Sequence, residues 1–337
     1  MARRIRYDAW SATDGRRSRH DGDPAWISPW YEPGFGFADL VSSWRVDTEA
    51  GSWAEIAVQR GGEQRWHTLA HWESGRRAAH RTSLGDDPEV DTDIWRPTGG
   101  ADAYRLRVTL HPSSRTGRLP TLGCVGAVVS AGEVRSTTSA PLRRVDRVLD
   151  VPRLSQMTWA EVGGRGWCSP TAVSMVLAHA GTLPPGTDSG SADVAAAAAE
   201  VADPAYGEGN WSFNTAWAAQ LTGHAFVTRL HDLRDAERFV DAGIPLVVSV
   251  AHRRGELRGA PTRGTAGHLV VVRGFTAGGD VVANDPAAPT ARSVRRTYDR
   301  GELEHAWLHG SGGLVYVVHH EAQALPSGGR GAWLSRR

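Results

Sequence analysis

The sequence predicts an α+β protein built in two parts: an all-β first half of sandwich or jelly-roll type, and a second half in which helices precede an antiparallel sheet. Three observations carry this reading. Short segments with alternating or β-branched character recur through residues 35–131, separated by Gly, Pro and Asp turns. A helix then opens at Cys168-Ser169-Pro170, and apolar strands follow one another from Pro245 to Val318. At 337 residues the chain exceeds one typical domain, and each half is long enough to bury its own core.

Residues 1–34 are expected to form an N-terminal arm and residues 35–131 the β-sandwich. Strands are read at Trp53 to Val58, Ala103 to Leu110 and Cys124 to Val129, which makes Cys124 a core residue. Trp10, Trp26, Trp30, Trp44, Trp53, Trp66, Trp72 and Trp95 all fall before residue 131. Sugars stack on indole faces, so such a half invites a glycan-binding reading; the plainer one has the rings fill the core and the domain seam. Residues 132–150 lack periodicity and read as a linker, with Arg143, Arg144 and Arg147 solvated. The second unit is expected over residues 151–320, with a flexible Gly/Ser/Arg-rich tail over 321–337.

Within the second unit, Ser169 suits an N-cap, Pro170 the first helical turn, and Gly181 ends the helix. Residues 192–201 and 233–242 read as further helices, and Gly209-Asn210-Trp211 leads from a Gly loop into another. Strands are expected at Pro245 to Val250, from His268, from Val281 through Asp285 up to Pro286 and at Gly313 to Val318, with a short helix from about Arg300.

Composition excludes several classes. The formal charge of +1, with both signs interspersed, suggests no nucleic-acid partner. No run of about 18 apolar residues exists, so no transmembrane segment is expected. Two cysteines argue against a disulfide framework. Neither a G-x-S-x-G elbow nor a phosphate-binding P-loop occurs, and His305 and His309 lack the Glu of a zinc-peptidase motif, so neither cofactor nor metal is implied. The start Met1-Ala2-Arg3-Arg4-Ile5-Arg6 has no apolar stretch behind its basic residues, which points to the cytoplasm.

The chemistry-bearing residues are Cys168, His268 and Asp285. A thiol at a helix mouth meets unpaired N–H groups and the positive end of the helix dipole, which lower its pKa from about 8.5 and make it a nucleophile. Gly267-His268 delivers an imidazole onto an apolar strand, and Asp285-Pro286 closes the returning one. The midpoint between His268 and Asp285 falls at Thr276 or Ala277, beside the Gly278-Gly279 turn, so the two side chains are expected to meet across one hairpin.

Leu154-Ser155-Gln156, Gly166-Trp167-Cys168-Ser169-Pro170-Thr171-Ala172, Gly267-His268 and Asn284-Asp285-Pro286 together resemble the C39-like, papain-like cysteine peptidases, in the stand-alone actinobacterial form without a transporter. Phe37 to Trp44, Gly51 to Glu55 and Tyr104 to Leu110 are similar to the all-β region preceding the peptidase domain in those proteins. The resemblance implies a papain-like fold, hydrolysis of peptide bonds, a peptide or protein substrate, and a Gln156 side chain that forms the oxyanion hole with the Cys168 N–H. It points to Asp285 as the third member, leaving Asn284 open because papain-like relatives use an Asn. It also implies substrate contacts from Trp167, Asn210, Trp211 and Gly267. Relatives joined to transporters cleave after a double glycine, a specificity not carried over here. Relatives of the stand-alone type are often exported. Two alternatives remain: an acyltransferase with the same triad, and a catalytically silent scaffold whose Trp-rich β domain binds glycan or peptide.

Overall fold

The protein is described here by a computed structural model covering residues 3–134, 137–183, 194–320 and 322–326. Its first half contains β1 (Arg4–Ser11), β2 (Arg16–His20), β3 (Asp23–Ile27), β4 (Asp39–Asp47), β5 (Trp53–Arg60), β6 (His67–Trp72), β7 (Val90–Asp91), β8 (Ile94–Trp95), β9 (Tyr104–His111) and β10 (Thr121–Ala131). They form two five-stranded antiparallel sheets, β1-β10-β4-β8-β7 and β2-β3-β9-β5-β6. The stretch expected as an arm is therefore sheet: β1 pairs with β10 along its whole length, and alternate burial of Ile5 and Tyr7 drives it there.

Aromatic rings join the sheets. Trp10 meets Tyr104 edge-on at 6.1 Å and Trp44 meets Trp72 at 6.3 Å, and Trp10, Trp44, Trp72, Trp95 and Tyr104 are all fully buried. The outer tryptophans have covered faces: Arg105 lies over Trp30 at 4.5 Å and Trp66 at 5.3 Å, and His111 stacks on Trp53 at 3.7 Å.

The second half continues with β11 (Arg147–Val148), α1 (Cys168–His179), α2 (Val194–Val201), α3 (Trp211–Thr222), β12 (Gly223–Arg229), α4 (Leu233–Asp241), β13 (Leu246–His252), β14 (Thr265–Phe275), β15 (Val281–Asn284), β16 (Arg295–Tyr298), α5 (Arg300–Ser311) and β17 (Leu314–His320). The sheet runs β12-β17-β13-β14-β15-β16, with β11 on β14. Helices lead and antiparallel strands follow, as α+β order requires. Ala192 and Asp193, the expected start of α2, lie outside the described residues.

The expected linker is tied down. Ser139 N donates to Glu304 Oε2 at 2.6 Å, Leu142 N to Glu237 Oε2 at 2.7 Å, and β11 joins the sheet. Of the expected tail, the described residues 322–326 dock: Gln323 Nε2 donates to Ala242 O at 3.2 Å and Leu325 packs on the core.

The two halves share one hydrophobic core. Phe213 of α3 packs against Trp44 and Trp72, and Tyr7 stacks on Phe226 at 4.5 Å. Ser212 Oγ donates to Ser42 O at 2.7 Å, and Gln220 Nε2 to Val46 O at 3.0 Å.

Candidate active site

Cys168 is the first residue of α1, one position inside Trp167, which occupies the cap without a side-chain hydrogen bond. Thr171 N donates to Trp167 O at 3.1 Å and Pro170 has no N–H, so the Cys168 and Ser169 N–H groups are the ones at the helix mouth that can serve a ligand or a thiolate. Ser169, expected to cap, is instead fully buried, its Oγ 3.0 Å from Tyr316 Oη. A tertiary partner outcompetes the local one here. Burial by itself would raise the Cys168 pKa, but its hydrogen bond to His268, the charge on that ring and the Leu269 and Ser169 backbone amides outweigh it, and the thiol is held below its ordinary value.

His268 lies on β14, three residues inside the strand start and not at its first position, because pairing with β13 continues to Thr265 opposite His252. Its Nε2 is 2.8 Å from Oδ1 of Asp285, the residue after β15, and both side chains are buried. The hairpin between them turns at Thr276 to Asp280. Asp285 Oδ2 accepts from Tyr298 Oη at 2.7 Å, and Oδ1 also accepts from Ala287 N at 3.0 Å. Burial opposes charge on the imidazole, yet the Asp285 carboxylate and its hydrogen bond prevail and raise His268 to about 10. Burial likewise pushes Asp285 up, and the His268 charge with the His268 and Tyr298 bonds brings it below the usual carboxylate range. The arrangement favours a thiolate beside an imidazolium, with Nε2–H committed to the carboxylate and Nδ1 the ring nitrogen not engaged by it.

Gln156 opens a 3-10 turn, Gln156–Val162, capped by Ser155. Its N–H donates to Pro286 O at 2.9 Å and Ser155 Oγ to Ala288 O at 2.5 Å, so the turn is fastened to the loop that follows Asp285. The side-chain Nε2 donates to Arg165 O at 2.7 Å, which fixes the amide orientation because only the nitrogen can face a carbonyl. The second N–H of that nitrogen remains for an acceptor. Gly164 lets the chain pass here: a Cβ would sit 2.5 Å from Gln156 O.

A family model described as Peptidase_C39 like family matches residues 148–313, and one described as Peptidase C39 N-terminal domain matches residues 4–130. The chain belongs to the C39-like peptidase family. That family supports a papain-like cysteine peptidase in general. No curated protein sequence matches the chain. Among the described residues no helix is long and apolar enough to cross a membrane.

Elsewhere in this C39-like half, the other sequence candidates fare unevenly. Asn210 is fully buried and cannot touch a substrate: it caps α3, accepting from Phe213 N at 3.0 Å and donating to Asp203 Oδ2 at 3.1 Å. An Asn immediately before a helix carries that capping signal in the sequence. Trp211 is half-buried, its N–H donating to Asp93 Oδ2 of the first half at 2.6 Å. Trp167 is half-buried beside Trp159, ring centroids 6.5 Å apart, and Gly267 is exposed next to His268. Asn284 faces away from the imidazole, donating to Pro152 O at 2.9 Å. Sequence reasoning missed Tyr298, since β16 (Arg-Arg-Thr-Tyr) shows no apolar alternation.

Proposed function

We propose that this protein is a cysteine peptidase that hydrolyses peptide bonds with Cys168 as nucleophile, His268 as acid and base, Asp285 as the orienting carboxylate and Gln156 as an oxyanion donor. The observation that carries the reading is the buried 2.8 Å bond between His268 Nε2 and Asp285 Oδ1, coupled to a thiol held below its ordinary pKa. A carboxylate on Nε2 fixes the tautomer and supports an imidazolium against sulfur.

The Cys168 thiolate attacks the substrate carbonyl carbon, a C–S bond forms, and the carbonyl π pair moves onto oxygen. The Gln156 Nε2–H and the Cys168 backbone N–H stabilise that oxygen, donors worth about 3–4 kcal/mol each at the transition state. Collapse breaks the C–N bond as the His268 proton passes to the leaving amine. Water then gives a proton to the neutral imidazole and attacks the acyl carbon. The C–S bond breaks, releasing the carboxylic acid and restoring the thiolate–imidazolium pair.

The test is the pH dependence of Cys168 alkylation by iodoacetamide, followed by peptide mass spectrometry in the wild type and in His268→Ala. The proposal expects a rate already high near pH 6 that moves to about pH 8.5 in the variant. A thiol that reacts no faster than free cysteine at pH 6 sinks the proposal.

A further inference from the structure

The first half does more than cover hydrophobic surface at the seam. The β7/β8 turn, with Thr92 at φ +59°, sends Asp93 into the second half, where it is 8 % exposed and accepts from Trp211 N at 2.6 Å. Nearby, buried Arg81 donates to Ala199 O and to Ala202 O, both at 2.7 Å, while also holding Glu73 O and Gly75 O of its own half at 3.1 Å. Ser83 donates through its N–H to Asp203 Oδ1 at 3.2 Å and through its hydroxyl to Oδ2.

The Ser83 contacts fall on one short turn, residues 203–207, and those of Arg81 and Asp93 hold the chain just before it, at Ala199 and Ala202, and just after it, at Trp211. Asp203 and Gly207 close it with reciprocal backbone bonds of 3.0 and 2.7 Å, and Asp203 Oδ1 accepts from Ala205 N at 3.0 Å. At its tip stands Tyr206, 57 % exposed, with its ring against Gly209. The phenol lies within electrostatic reach of the Cys168 thiol, and of Asp91 and Asp93 across the seam. Tyr316, bonded to Ser169, lies within the same reach of Cys168, Tyr206 and Asp93. The turn thus presents a large aromatic ring with more than half its surface in solvent, and the first half of the molecule holds that turn through Ser83.

We infer that residues 203–207 form a wall of the substrate cleft, with Tyr206 packing against an apolar side chain of the bound peptide, and that Arg81, Ser83 and Asp93 are positioning residues supplied by the first half. This rests on the peptidase reading and deepens it: the β half becomes part of the specificity apparatus.

The experiment compares two reagents at Cys168. Iodoacetamide needs no cleft, whereas a mixture of peptidyl acyloxymethyl ketones randomised at two residues must seat a peptide. In Tyr206→Ala, labelling by the ketones preferred by the wild type should slow about tenfold or more, while iodoacetamide stays within about twofold, the scale of one lost apolar contact. Asp93→Ala should give the same split, and Asp93→Asn, which keeps an oxygen for Trp211 N, should restore most of it. Equal slowing of both reagents in Tyr206→Ala, no slowing of either, or no rescue by Asn overturns the inference. Should Asp93→Ala fail to fold, the exposed Tyr206 variant decides alone. A slow wild-type reaction with iodoacetamide would instead remove the peptidase reading, and fast alkylation without selection among the ketones would remove the cleft wall only.

Discussion

Tyr298→Phe deletes one oxygen atom from the candidate site, and its consequence can be worked through. Asp285 Oδ1 has two donors, His268 Nε2 and Ala287 N, whereas the donor to Oδ2 is the Tyr298 hydroxyl at 2.7 Å. The carboxylate is 1 % exposed, so water cannot readily replace the lost donor. A hydrogen bond to a charged group contributes about 1.5–3 kcal/mol, which in a unit of this size lowers Tm by roughly 3–12 °C. Burial and the Asp285 charge keep the Tyr298 phenol protonated well beyond its ordinary range, so it donates at every working pH. The folded Asp285 pKa lies below its unfolded value, so its stabilisation is present above about pH 4 and is lost as pH falls through the folded pKa. Without Tyr298 the folded pKa rises and that contribution shrinks. The gap between wild type and variant should therefore be full at pH 7 and narrow, as pH falls through the folded Asp285 pKa, toward the 0.5–1.5 kcal/mol of a neutral bond. Urea unfolding at pH 7 and in steps from pH 4 downward, read by tryptophan fluorescence, measures it. Equal stabilities at pH 7, or a gap that stays constant down to acid unfolding, would refute the charge-assisted account.

Gln156→Ala should lower kcat/KM for a cleaved peptide about 10²–10³-fold and leave the iodoacetamide rate of Cys168 unchanged, since alkylation forms no oxyanion; the two rates are measured side by side. Arg300→Met breaks a buried 2.7 Å ion pair with Glu237 and should cost about 3–5 kcal/mol in denaturant unfolding, part of it recovered in Arg300→Met/Glu237→Leu. In wild type, the Cys168–His268 pair should hold its alkylation rate as pH rises from 6.5, with the imidazolium contribution to stability fully present below that pH and fading as pH approaches about 10; unfolding at pH 7 and pH 10.5 tests it. Gly274→Ala should destabilise by about 1–3 kcal/mol or more and speed tryptic cutting near Arg147, because its Cβ would meet Arg147 O at 2.5 Å, a backbone atom that cannot swing aside.

What the sequence yields depends on whether a local pattern or a distant partner decides each residue. The long β9 and β10 strands, α1 and the β14/β15 hairpin carry their own period and turn chemistry, so they are legible. β2 (Arg-Arg-Ser-Arg-His) is polar along its length and β3 contains Pro24, so neither reads as a strand; β3 forms on the edge that β9 offers, and β2 pairs in turn with β3. Gln156, Cys168, His268 and Asp285 are visible through motif and order. Tyr298, Asp93 and Tyr206 are not, since each acquires its place from a contact with another element and carries no flanking signature. Asn210, expected to contact substrate, instead caps α3 through Phe213 N, a role that an Asn just before a helix can signal locally.

The choice between Asn284 and Asp285 turns on a single irregularity. Residues paired across antiparallel strands share a face, and faces alternate along each strand. Near the turn, Phe275 pairs with Val281 and Gly274 with Val282; carried on without interruption, that register would pair Val272 with Asn284 and set Asn284 on the face of His268. The register instead shifts between Val272 and Gly274, so that Val272 pairs with Ala283 and Val271 with Asn284. That bulge moves β15 by one residue, and one residue exchanges the faces. Val281, Ala283 and Asp285 then share the His268 side, while Asn284 turns toward Pro152 O and Met175. The bulge ends at Gly274, against which β11 packs too closely for any side chain. Without that bulge, the register set beside the turn would have carried the amide of Asn284, and not the Asp285 carboxylate, onto the imidazole face.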